Sequence, residues 1–258
     1  MDHVQAEPPK SPAVAAAIAI LRHLAAQSAP VGLTPISRAV GLGPSSCLNI
    51  LRTLASDSFV HFDTETKAYS LGPGSIALAR RALDPAGTMD VARDELQATA
   101  LDCDVTCALW RLSSNERLVL VGFAESLATT RVHLTIGHRL PQFLGATGRC
   151  IAAFSDIDTP DFAARYATLR WHRDPGLSLY RQQVAETRSR GWAIDVDYFM
   201  QGVTTIAAPV LDGAGHVRFC ATSTTFSGQQ DEPGLTRIGG ATADLARSLS
   251  RRLFGADF

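Results

Sequence analysis

The chain has no long apolar run. Its longest, near Ala13 to Leu21, is closed by Arg22, far short of the ~20 residues that a membrane-spanning helix needs. Met1 to Pro12 carries Asp2, Glu7 and Lys10 where a secretory leader would have a basic start and an apolar centre, so no export signal is expected. Cysteine is sparse and odd in number. The five thiols, Cys47, Cys103, Cys107, Cys150 and Cys220, are scattered, which excludes a disulfide scaffold and fits a reduced, cytoplasmic chain using them as small core residues. Net charge is almost absent, with 24 Lys+Arg against 25 Asp+Glu. This excludes a globally basic coat for nucleic acid, but a local binding face remains open because whole-chain charge averages over domains. Internal repeats, low-complexity tracts and the motifs G-x-S-x-G, H-E-x-x-H and the P-loop are missing too. No catalytic residue, metal site or cofactor is therefore expected.

What is present suits a folded chain of one large or two modest domains: 258 residues, 46% hydrophobic and 19% charged. Residues 1–9, with Pro8 and Pro9, read as a loose arm. Val14, Ile18, Leu21 and Ala25 then recur at helical steps. After the turn at Ser28–Gly32, Thr34 before Pro35 reads as the N-cap of a short helix to Val40. Gly41-Leu42-Gly43 stops it, and Pro44 opens a third helix to about Ala55. Phe59–Phe62 and Ala68–Leu71 flank the polar tip 63–67 as a hairpin. Helix, short helix, helix and hairpin in that order is the layout of a winged helix-turn-helix over residues 10–71. A linker helix is expected in 72–87.

The remainder, 88–258, alternates helical and extended segments. Helices are expected at 91–100, 148–154, 161–169 and 179–190, and a terminal one through Leu235, Ile238, Thr242, Leu245 and Leu249. Strands are expected at 105–112, 117–123, 194–198, 204–211 and 217–223. The fold class is α+β with a mixed α/β C-terminal domain. Divided at residue 83, the charge becomes +2 on the small head and −3 on the larger body, the right sign for a head that meets DNA.

On the third helix Cys47, Leu51 and Leu54 share one face, and Ser45, Asn49 and Arg52 the opposite one, bordered by Ser46 and Thr53. Short polar side chains at a helix start let backbone approach a phosphate or base edge. Asn can pair bidentately with adenine, and Arg with guanine or phosphate.

Several spaced motifs then point the same way. Thr34–Leu42 resembles the second helix, Ser45–Leu54 the recognition helix and Tyr69–Gly72 the wing end of the IclR-type transcriptional regulators. Gly137–Pro141 with Gly145–Arg149, Arg190–Asp195, and Gly202-Val203 with Ile206–Val210 resemble three further motifs of that family in order. Nearly the whole chain is covered. Departures are Pro44 and Asn49, where the family commonly has basic residues, and Phe143, where many members have His. The resemblance implies a GAF/PAS-like domain that binds a small effector, often an organic or aromatic acid. It also implies a homodimer or a tetramer built as a dimer of dimers, on a pseudo-palindromic double-stranded DNA operator, controlling a catabolic operon. The expected DNA-contacting residues are Thr34, Ser45, Ser46, Asn49, Arg52 and Lys67. The expected effector pocket is Val132, Leu140, Phe143, Ala146, Thr147, Asp195, Thr205, Thr222 and Thr224. The residues agree in part: Gly145 and Gly148 bracket a turn at a helix start suited to a carboxylate, and Thr222 and Thr224 fall on one strand face.

Three other patterns are weaker. Gly72-Pro73-Gly74-Ser75-Ile76-Ala77 fits a dinucleotide-binding pattern, but the preceding strand is too polar for that fold. Cys103 and Cys107, with His133 and His138 downstream, lack a standard zinc spacing. Asp195 and Asp197 could share a strand face, with Asp195 the better hydrogen-bonding group for an effector. The alternative reading is a small-molecule enzyme or metabolite carrier using the C-terminal half.

Overall fold

The computed structural model describes residues 11–84, 87–128 and 132–256, so the expected arm at 1–9 lies outside the described residues. The chain divides into two compact units between Ala82 and Leu83.

In the first unit, α1 (Pro12–Ala25), α2 (Leu33–Val40) and α3 (Pro44–Ser56) surround a small core, with β1 (Val31–Gly32), β2 (Val60–Asp63) and β3 (Ala68–Leu71) beside them. The strands form one antiparallel sheet in the order β1-β3-β2. Ile20, Leu24, Ile36, Cys47, Leu51, Val60 and Tyr69 close the core. The α3 stripe read from sequence supplies Cys47 and Leu51, but the α1 stripe does not hold: Val14, Ile18 and Ala25 are exposed, and α1 turns Ile20 and Leu24 into the core instead. Thr34 is not the N-cap of α2. The helix begins at Leu33 after an extended Gly32, and Thr34 is exposed in its first turn.

Between α2 and α3 the chain turns through Gly41 at φ 69°, a conformation that costs an L side chain energy and glycine none. Ser37 fastens the turn, its Oγ donating to the Leu42 carbonyl at 2.6 Å. Gly72 and Gly74 have a packing role. Just beyond α3, a Cβ on Gly72 would strike the backbone of Ser58 and Phe59, and one on Gly74 the backbone of Asp57 and Ser58. The glycine-rich stretch is the close approach of α4 (Pro73–Leu83) to α3.

The second unit is a six-stranded antiparallel sheet, β6-β5-β4-β9-β8-β7, with helices on both faces. Its strands are β4 (Thr106–Leu112), β5 (Arg117–Glu125), β6 (Arg139–Pro141), β7 (Ala193–Val196), β8 (Val203–Leu211) and β9 (Val217–Phe226). Period-two alternation sorts their side chains. Cys107, Leu109, Ile206, Ala208 and Ala221 face α5 (Thr88–Cys103) and α9 (Glu232–Phe254). Ala108, Trp110, Ala207 and Cys220 face α6 (Gly145–Ala152), α7 (Pro160–Ala167) and α8 (Leu177–Arg190). Asp84 opens α5, its carboxylate accepting from the Thr88 and Met89 amides at 2.6 and 2.7 Å.

Two expectations need correction. β7 ends at Val196, and Asp197 turns off the strand at φ 60°. Its carboxylate instead accepts from the Gly202 amide and Ser227 Oγ, so Asp195 and Asp197 do not share a strand face. The edge strand β6 carries too few residues to show a period in sequence. All five cysteines are buried and free. Cys107 lies 3.5 Å from Ser223 Oγ, and burial pushes its thiol up to about 12.

Candidate functional site

The first unit presents α3 as an outward face. Cys47 and Leu51 are fully buried, which turns Ser45, Ser46, Asn49, Arg52 and Thr53 to solvent. Pro44 occupies the first turn and no side chain caps it, so the leading backbone N–H groups are free to meet an anion. Arg52 makes no hydrogen bond or ion pair among the described residues. The wing tip is held by Asp63, which accepts from Glu65 N at 2.8 Å and Thr66 Oγ1 at 2.7 Å. Those bonds, led by the one from Thr66, lower its pKa. They leave Lys67 exposed at φ 55° on the far side of the turn. The structure thus places Ser45, Ser46, Asn49 and Arg52 on one exposed helix face, Thr34 in the first turn of α2 and Lys67 at the wing.

The second unit holds a cavity of about 240 Å³ on the α6 side of its sheet. Pairing across β7, β8 and β9 brings Asp195 opposite Thr205 and Thr205 opposite Thr224. One row of polar side chains thus crosses three strands. Thr222, two residues from Thr224, accepts from Trp110 Nε1 at 3.1 Å. Thr224 is buried from bulk solvent, and its hydroxyl makes no hydrogen bond among the described residues. Opposite the row, α6 begins at Gly145, and its first free amide-to-carbonyl bond is Gly148 N to Leu144 O. Gly145, Ala146 and Thr147 line the cavity, and their amides have no acceptor among the described residues. These buried donors and the partial positive charge of a helix start suit an anionic oxygen. The α6 start comes this close because Gly148 has no side chain: a Cβ there would overlap the Phe143 carbonyl.

Eight of the nine expected pocket residues line this cavity: Val132, Leu140, Ala146, Thr147, Asp195, Thr205, Thr222 and Thr224. Phe143 does not. Its ring packs on Phe162 at 4.8 Å beside the Arg165 guanidinium, joining the buried aromatic cluster of Phe162 and Tyr180, whose Oη also donates to the Phe143 carbonyl. Sequence reasoning missed Trp110, Leu144, Phe199 and Met200 in the wall. Trp110 is invisible as a site residue until β4 pairs with β9. Phe199 and Met200 sit on the turn that follows β7. It also missed Arg149, which is fully buried and bonds Asp195 Oδ2 at 2.7 Å. Among the described residues no group of His, Cys, Asp and Glu is arranged to hold a metal ion. No helix is long and apolar enough to cross a membrane.

Comparison with known proteins agrees with both halves of this geometry. The family model for the IclR helix-turn-helix domain matches residues 13–64, and that for the bacterial transcriptional regulator IclR C-terminal region matches residues 80–251. The glycerol operon regulatory protein of Streptomyces griseus is 28% identical over 205 residues, covering 76% of this chain and 77% of that protein. The HTH-type transcriptional regulator XynR of Escherichia coli is 24% identical, covering 92% and 95%. The crystal structure of an IclR transcriptional regulator from Alicyclobacillus acidocaldarius superposes with a TM-score of 0.73 at 25% identity, over 94% of this chain and 98% of that one. An IclR homolog from Microbacterium hydrocarbonoxydans, solved with 4-hydroxybenzoate, superposes at 0.72 with 16% identity, over 93% and 99%, and so speaks for the fold. An enzyme or metabolite carrier is set aside by these matches. A chain with this helix-turn-helix head, this sheet and helix body, and family matches over both belongs to the IclR family of transcriptional regulators, which bind DNA and a small-molecule effector.

Proposed function

We propose that the chain controls a catabolic operon, reading a pseudo-palindromic operator as a homodimer or a dimer of dimers and responding to an aromatic or short organic acid. One observation carries the effector reading: Gly145, Ala146 and Thr147, whose amides have no acceptor among the described residues, line one cavity together with Thr205, Thr222, Thr224 and the apolar Val132 and Leu140. A carboxylate meets the amides, and the apolar walls leave room for a ring. The relatives' names are compatible with catabolic control: one regulates a glycerol operon, and a protein of the same fold was solved with 4-hydroxybenzoate.

On the DNA side, Ser45, Lys67 and Arg52 contact phosphates, with Thr34 beside them, while Ser46, Asn49 and Arg52 reach base edges. The effector acts only through unequal affinity for two arrangements of the DNA-binding heads.

The test pairs a mobility-shift assay on the promoter beside the chain's own gene with calorimetric titration of acids. Arg52→Ala is expected to cost roughly 1–3 kcal/mol of operator affinity and to leave effector affinity unchanged. An unaltered footprint in that variant refutes the assignment of α3. Binding of a sugar or an acyl-CoA, with no acid bound, refutes the acid effector.

A further inference from the structure

Arg149 lies on α6, whose first turn forms the cavity wall, yet it is not itself a wall residue. It is wholly buried. Nη1 donates to Asp195 Oδ2 at 2.7 Å and Nε to Gln183 Oε1 at 2.8 Å. The rings of Tyr180, Trp171 and Tyr198 stand 5.3 to 5.7 Å from the guanidinium carbon. Nη2 and Trp171 Nε1 are buried with no acceptor among the described residues, so the carboxylate that holds the cation there is Asp195. Asp195 is held from a second side by the Phe199 amide, which donates to Oδ1 at 3.0 Å. Asp195 is 2% exposed, held at both carboxylate oxygens, and part of the cavity wall.

This arrangement answers a question that the acid-binding reading raises. A buried carboxylate in the wall should repel an anionic effector, because like charges in a water-poor site interact strongly. The guanidinium behind it removes that repulsion. A carboxylate held by a cation still offers only acceptor lone pairs to the cavity. A ligand that buries them without offering a donor leaves them unsatisfied, which is costly.

We propose that Arg149 is the specificity-determining positioning residue of this cavity: it offsets the charge of Asp195 so that an anion is admitted, and it aims Asp195 at a donor on the same molecule. The effector class is then a hydroxy acid, its carboxylate on the α6 amides and its hydroxyl on Asp195. This rests on the reading of the cavity as an acid-binding effector site.

The experiment titrates the full-length protein, Arg149→Gln and Arg149→Lys by calorimetry. The probes are 4-hydroxybenzoate with benzoate, lactate with propionate, and the neutral 4-hydroxybenzamide. For at least one pair, the wild type is expected to bind the hydroxy acid ten-fold or more tightly than its partner. Arg149→Gln should lose ten-fold or more for that acid while the amide changes less than three-fold, and Arg149→Lys should recover part of the loss. Equal losses for acid and amide indicate mere structural damage and overturn the proposal. So does a wild type that binds deoxy acids as well as hydroxy acids.

Amide hydrogen exchange separates this inference from the reading beneath it. Arg149→Gln should speed exchange at Phe199, and Arg149→Lys should restore it. If no acid binds the wild type, the acid effector and the hydroxy-acid class both fall. The positioning role then stands or falls on Phe199, and unchanged protection overturns it. Should Arg149→Gln fail to fold, the pair Arg149→Gln with Asp195→Asn removes the lone buried charge. That double variant should fold and lose the preference for hydroxy over deoxy acids; a retained preference refutes the proposal.

Discussion

Replacing Gly148 with alanine should lower stability and effector affinity together, although the same change is favourable at most helical positions. In an open helix interior, alanine is favoured over glycine by about 1 kcal/mol. Here the added Cβ would lie 2.7 Å from Phe143 Cα, with the Phe143 carbonyl atoms closer still, whereas carbon atoms rest ~3.5–4.0 Å apart. Relief requires the backbone to move by roughly 1 Å at the Cα and by more at the carbonyl. Phe143 resists that movement. Its ring is buried on Phe162, and its carbonyl accepts from Tyr180 Oη at 2.8 Å. Overpacking costs ~1–3 kcal/mol, and a clamped backbone neighbour puts this site toward the upper end. The net loss is about 2 kcal/mol, a fall in Tm of roughly 4–8 °C for a unit of this size. Because α6 must shift at its first turn, the amides of Gly145, Ala146 and Thr147 leave their place at the wall, and affinity for an acid should fall as well. Calorimetric unfolding checks the first effect and isothermal titration the second. Gly240→Ala in α9 is the control, since its Cβ meets nothing within 4 Å, and it should gain up to about 1 kcal/mol. A Gly148→Ala protein that melts at or above the wild-type temperature would refute the close-approach argument.

Three further outcomes are expected. Thr224→Val should leave stability within ~0.5 kcal/mol, because the lost hydroxyl has no protein partner, and weaken a hydrogen-bonding effector by about 0.5–1.5 kcal/mol. Thr222→Val should instead cost about 1–3 kcal/mol of stability by stranding Trp110 Nε1; paired denaturation curves and titrations distinguish them. All five thiols should resist alkylation at pH 8 in the native protein and react after denaturation. They are buried, and burial pushes Cys107 and Cys150 up to about 12, so thiolate is scarce where the reagent cannot enter. Rapid native labelling counted by mass spectrometry would contradict the burial of these cysteines.

Helix positions were the most legible elements, because a repeat of three and four needs only local residues, but the α1 stripe of Val14, Ile18, Leu21 and Ala25 picked the wrong face: with so many apolar side chains around α1, only packing selects Ile20 and Leu24. The α3 stripe Cys47, Leu51 and Leu54 identified the buried face and so the exposed one. Strand ends were less legible. Asp197 continues the alternation of β7 in sequence, but its side chain is satisfied better by the Gly202 amide and Ser227, which turns it out of the sheet. Thr34 satisfies the local rule for an N-cap, yet α2 starts before it, with the chain already extended at Gly32. Phe143 carried the right neighbourhood and the wrong direction, since a side chain's face depends on the backbone entering α6.

Local periods and motifs in order were enough to give the two-part organisation, the exposed face of α3 and the family. Eight of the residues that the family resemblance named also line the cavity. Tertiary structure decided what the pocket is chemically. Only strand pairing sets Asp195, Thr205 and Thr224 in one row, and only helix packing brings Arg149 to Asp195 across 46 positions. The physical reason is that charge balance and hydrogen-bond satisfaction in a buried site depend on distance in space, which spacing along the chain does not encode.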